Sequence, residues 1–136
     1  MYHTLTKNYY KKCDGIIIVF DITNKESFDK IHYWVKQIKE STDSNKKINQ
    51  VIVGNKIDLE NERQITKEEG EKMSSAYSLK YFETSAKENI GINEFMLSII
   101  NEIAQDKYDE KKEEETNENI TLEKQKEEEG NKGCGC

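Results

Sequence analysis

The chain has 136 residues, with 21 Lys and Arg against 27 Asp and Glu, for a formal charge of −6; that length suits one domain. Ten acids and six lysines fall between residues 107 and 133, so the rest is nearly balanced and lacks the concentrated basic excess of a nucleic-acid-binding face. No apolar run approaches the roughly 18 residues of a membrane span and the first residues lack a signal peptide's apolar region, so synthesis in the cytosol is expected.

Residues 2–12 place Tyr2, Leu5 and Tyr9 at helical spacing, which predicts a short amphipathic helix. The apolar run GIIIVFD, residues 15–21, reads as a strand. Thr23 and Glu26 then have the spacing of a capping box, opening a helix whose stripe is Phe28, Ile31, Val35 and Ile38. Trp34 flanks that stripe and suits core or rim packing, and His32 beside it faces solvent by default. Residues 41–49 are polar and form a loop.

Val51, Ile52 and Val53 are continuous and β-branched, as in a parallel strand covered on both faces, and Gly54 ends the run. Asn55, Lys56 and Asp58 follow, at the carboxyl end where open α/β sheets bind ligands. Residues 59–64 are charged and read as exposed. Thr66 and Glu69 predict a second capping box, on a helix turning Met73, Ala76 and Tyr77 inward despite Gly70, which is unfavourable by about 1 kcal/mol against Ala. Residues 79–84 form a third strand, with Ser85, Ala86 and Lys87 as its exit loop. After Gly91, a last helix carries Ile92, Phe95, Met96, Ile99, Ile100 and Ile103 on one face. Strand and helix alternate, so the fold class is α/β with a parallel three-stranded sheet flanked by helices. Residues 1–106 form the folded part. Residues 107–136 have few apolar side chains to offset ordering entropy and are expected to be a disordered acidic tail.

Three cysteines make no disulfide framework, and a terminal C-x-C with no nearby His or second Cys pair is too little for tetrahedral zinc. Neither metal ligands nor catalytic residues emerge.

NKID at Asn55, Lys56, Ile57 and Asp58 resembles the NKxD base-recognition motif of small GTPases, and Glu83, Thr84, Ser85, Ala86 and Lys87 resemble the same family's ETSAK loop. The segment HTLTKNYYKKCDG resembles the second switch helix and its exit. Cys134, Gly135 and Cys136 resemble the CxC ending of Rab proteins, and the similarity, over residues 2–106, is to the secretory branch of the Rab family.

The resemblance implies a partial P-loop GTPase fold and a guanine pocket. In it Asp58 pairs with the base N1–H and amine, Lys56 lays its stem over the ring and Asn55 ties base to loops. Ser85 holds Asp58, Ala86 offers its N–H to the base carbonyl, and Lys87 closes the other face. It further implies GTP or GDP as ligand and a switch in vesicle-mediated transport. Prenyl groups on Cys134 and Cys136 would anchor it to the cytosolic face of endomembranes. The implied partners are an escort protein, a geranylgeranyl transferase, a GDP-dissociation inhibitor and effectors. Two lipids suit an acidic tail, which supplies no polybasic attraction.

The sequence departs from the family in one half. None of its seven glycines stands in a G-x-x-x-x-G-K-[ST] phosphate loop. The first switch threonine and the Asp-x-x-Gly contact to Mg2+ are missing too, so this chain alone is not expected to hydrolyse GTP. Two readings stay open beside the switch: a non-catalytic prenylated interaction module, or an incomplete piece of a longer GTPase. A sheet reduced to three strands predicts an uncovered apolar edge.

Overall fold

A computed structural model describes residues 9–10, 12–42 and 46–130. Most of the helix expected over 2–12 lies outside these residues, as do Cys134 and Cys136.

The three apolar runs form strands β1 (Gly15–Asp21), β2 (Asn49–Asn55) and β3 (Lys80–Thr84), in the order β1-β2-β3 and parallel throughout. Ile17 registers with Val51, Val19 with Val53, and Val53 with Phe82. Between the strands run α1 (Lys25–Asp29), α2 (Ile31–Ser41), a 3-10 helix (Ile57–Glu62) and α3 (Lys67–Ala76), and α4 (Ile92–Gly130) follows β3.

Because side chains alternate along a strand, each sheet face receives its own core. On one face Ile18, Phe20 and Ile52 pack with Phe28, Ile31 and Ile38 of α1 and α2 and with Ile65, while Met73 and Tyr81 border them. On the other, Val51 and Val53 pack under Phe95 and Ile99 of α4. The sheet is thus a middle layer with helices on both faces.

The capping box at α3 forms as predicted: the Glu69 N–H donates to Thr66 Oγ1 at 3.1 Å and the Thr66 N–H donates to Glu69 Oε2 at 2.8 Å. The one expected at Thr23 does not form. Asn24 caps α1 instead, its Oδ1 accepting from the Ser27 N–H at 3.0 Å, because Thr23 gives both its N–H and its hydroxyl to Asp21. The predicted single helix over the Phe28 stripe is two, meeting at Lys30. Along α3 the buried residues are Gly70 and Ser74, whereas Ala76 is exposed and Tyr77 half-buried. Gly70 is where the Tyr81 ring crosses the helix, and an added Cβ would collide with it.

Two units divide the chain, Met1–Ile103 and Ala104–Cys136. In the second, helix extends to Gly130. Described side chains from 107 to 124 are all exposed, so this stretch builds no core of its own. Local bonds support the helix, such as Gln105 Nε2 to Asp109 Oδ1 at 3.0 Å and the Lys112 ammonium over the Tyr108 ring. Glu, Lys and Gln are good helix formers and no proline interrupts them, so loss of apolar periodicity does not end the helix.

Candidate functional site

The parallel register places Asp21, Asn55 and Thr84 side by side at the carboxyl edge of the sheet. Beyond Asn55 the chain turns through Lys56 at φ 73°, a left-handed conformation unfavourable by roughly 1–2 kcal/mol for a side chain with a Cβ. The Leu59 N–H to Lys56 C=O bond, 2.9 Å, stabilises that turn, and Asp58 rides on the 3-10 helix that follows. Beyond Thr84 the loop is closed by two backbone bonds between Ser85 and Ile90, each 3.0 Å. Gly91, at φ 72°, lets the chain leave without striking the Glu83 carbonyl.

These two strand ends meet through side chains. The buried Ser85 hydroxyl donates to Asp58 Oδ1 at 2.6 Å and accepts the Glu88 N–H at 3.0 Å. Asn55 Oδ1 accepts from the Thr84 hydroxyl at 3.0 Å and from the Ala86 N–H at 3.1 Å. Asn55, Asp58, Ser85 and Ala86 are therefore brought together, and among the described residues Asp58 Oδ2 takes no hydrogen bond. Lys87 is exposed on the same loop.

Lys56 is not loose: its ammonium lies 2.7 Å from Asp21 Oδ2, while Asp21 Oδ1 accepts from the Thr23 N–H and hydroxyl at 2.8 and 2.7 Å. Burial pushes the Asp21 carboxyl up, but the Lys56 and Thr23 bonds outweigh it and hold the carboxyl below its ordinary range. The same pair raises the Lys56 ammonium.

Sequence reading missed Asp21 and Thr23, and it missed Arg63, taken as part of an exposed charged stretch. Arg63 is 15% exposed and makes a bidentate pair with Glu83, at 2.8 and 3.1 Å. Burial favours an uncharged Glu83, yet bonds from Arg63 and the Tyr81 hydroxyl keep its carboxyl below the usual value. The register of Asp21 beside Asn55 was a signal available in the strand alignment. Nothing periodic announces Arg63 and Glu83.

A cleft of about 490 Å3 lies elsewhere, bordered by Val35, Ile38, Gln50, Tyr77 and Leu79. Among the described residues no group of three or more His, Cys, Asp or Glu side chains could hold a metal ion, and no helix is long and apolar enough to cross a membrane.

Residues 1–105 match the sequence model of the Ras family. The chain is 38% identical over 104 residues to "Ras-related protein Rab-10" of Diplobatis ommata, covering 76% of this chain and 51% of that protein. It is 39% identical over 102 residues to "Ras-related protein Rab-8A" of Rattus norvegicus and to "Ras-related protein Rab-8B" of Homo sapiens, covering 75% of this chain and 48% of each. The chain thus spans about half the length of these relatives. A family match across most of the sequence, joined by Rab relatives over a similar span, means that the chain belongs to the Ras family of small GTPases, in its Rab group.

Proposed function

We propose that this chain is the base-recognising part of a Rab-type guanine-nucleotide switch in vesicle-mediated transport. The observation that carries the reading is the junction of Asn55 and Asp58 with Ser85 and Ala86. The Asp58 carboxylate, with Oδ1 keeping a lone pair beside the Ser85 bond and Oδ2 unclaimed among the described residues, can accept a ring N–H and an exocyclic amine on one edge, a pair that guanine offers and adenine does not. Charge-assisted bonds of this kind are worth about 1.5–3 kcal/mol each, enough to discriminate the two bases strongly. The Ala86 N–H, now on Asn55, would turn to the base carbonyl. Lys56, with its ammonium fixed by Asp21, holds its aliphatic stem in one place as a cover for the ring, and Lys87 would close the opposite side.

The side chains fit a guanine base and not a triphosphate, since the sequence holds no phosphate loop. Hydrolysis is therefore not assigned to these residues, and GTP or GDP binds weakly through the base alone. Prenylation at Cys134 and Cys136 would give the two lipids that stable anchoring needs. The escort protein, transferase, dissociation inhibitor and effectors follow as partners.

The test is an NMR titration of the full chain with GDP and with ADP. GDP is expected to move the amide signals of Asn55, Ala86 and Lys87, ADP to leave them, and Asp58→Ala to abolish the GDP response. Equal responses to both nucleotides would falsify the base-recognition reading.

A further inference from the structure

Beside the Thr84 to Asn55 bond at the strand ends themselves, three ties join the segment after β2 to the β3 end and its loop, and they differ in what a ligand would do to them. The Asn55 bond to the Ala86 N–H uses a donor that a bound base would claim. The Ser85 bond to Asp58 uses a carboxylate that would face the base. The third uses nothing that faces a ligand: Arg63, at the end of the 3-10 helix carrying Asp58, grips Glu83, which immediately precedes Thr84, Ser85 and Ala86.

The Arg63 guanidinium is almost fully engaged. Its Nε donates to both Glu60 oxygens at 2.8 and 2.9 Å, Nη1 donates to Glu83 Oε1 at 2.8 Å and to the Ile65 carbonyl at 3.0 Å, and Nη2 donates to Glu83 Oε2 at 3.1 Å. Glu83, 16% exposed, also accepts the Tyr81 hydroxyl at 2.9 Å. A planar fork held from three sides fixes orientation as well as distance. Behind it, the Gln64 and Ile65 N–H groups both donate to the Ile22 carbonyl, so the anchor point is itself tied to the end of β1.

We infer that Arg63 and Glu83 are positioning residues, a ligand-independent clasp that sets the spacing of Asp58 from Ser85 and Ala86 before a base arrives and keeps it once the base has drawn the Ala86 N–H away from Asn55. This rests on the guanine-site reading only for the identity of the ligand. The clasp itself uses no group that would touch the ligand.

Amide hydrogen exchange on the full chain, first without nucleotide, is the experiment. Arg63→Lys keeps the charge but loses the fork, and Glu83→Gln keeps the shape but loses the charge. Both are expected to speed exchange at the Ala86 and Glu88 N–H groups at least tenfold, leaving Val51, Ile52 and Val53 within twofold of the parent. Unchanged loop amides in Arg63→Lys, or core amides that accelerate in step with the loops, would overturn the clasp, the latter by reducing it to general stability. GDP is then added as the probe. Slower Ala86 exchange in the parent chain, reduced in both variants, supports clasp and site together. If GDP has no effect on the parent, the guanine reading fails, and the unliganded rates still decide the clasp.

Discussion

Asp21 shows how one carboxylate can serve the strand end and the candidate site at once. Its Oδ1 shapes the exit from β1 through Thr23, and its Oδ2 holds the Lys56 ammonium. Because its carboxyl lies below the ordinary value when folded, its contribution to stability is present above the unfolded-state pKa and is lost as pH falls through the folded one. Asp21→Asn keeps an acceptor for Thr23 but has no charge to titrate. The parent is therefore expected to exceed the variant in urea midpoint at neutral pH, and the two curves to converge as pH drops below the carboxylate range. A gap that persists undiminished into acid would show that the ion pair with Lys56 is not its origin.

Among the elements, α3 and β3 are matched through Gly70 and Tyr81. In an exposed helix interior, Gly to Ala stabilises by roughly 0.5–1 kcal/mol. Here the added methyl has no room, since the Tyr81 ring already occupies that position and is fixed by its bond to Glu83. Overpacking of this kind destabilises by about 1–3 kcal/mol, so the sign reverses. Gly70→Ala should lower the denaturation midpoint, and the further change Tyr81→Leu should recover part of the loss; a stabilised Gly70→Ala chain would refute the close approach. Such pairs mark the limit of what sequence pattern can supply. Strand runs, the Thr66 cap and the face of Ile92, Phe95 and Ile99 were legible because each is written in local spacing. Asn55, Asp58, Ser85 and Ala86 were legible as short motifs at the ends of apolar runs. Gly70 read as a defect, Thr23 as a cap and Arg63 as surface charge. The partners that decide them, Tyr81, Asp21 and Glu83, belong to other elements or to a competing local bond.

At the scale of the whole first unit, the two faces of the sheet are unequally covered. On the face under α4, Val51 and Val53 of β2 are 0% and 2% exposed, yet their neighbours in register on β1, Ile17 and Val19, are 37% and 56% exposed. Burial is thus lost within one strand spacing, about 4.8 Å. On the wheel of α4, Phe95 and Ile99 point at the sheet and Lys80 of β3 pairs with Glu102, which puts Met96 and Ile100 on the flank toward β1. Both are exposed, so floor and wall form one apolar trough. An open trough beside a strand edge favours self-association. The full chain is expected to sediment as concentration-dependent oligomers, and Val19→Lys, which places an ammonium where the side chain is already half in water, should shift it toward monomer with little change in the unfolding midpoint. Burying Val19 in a packed core would instead make the same substitution strongly destabilising, by several kcal/mol for an unpaired charge taken from water. The two measurements together therefore separate an open face from a covered one: monomer gained at constant stability means open, and stability lost means that something in the chain already lies over β1.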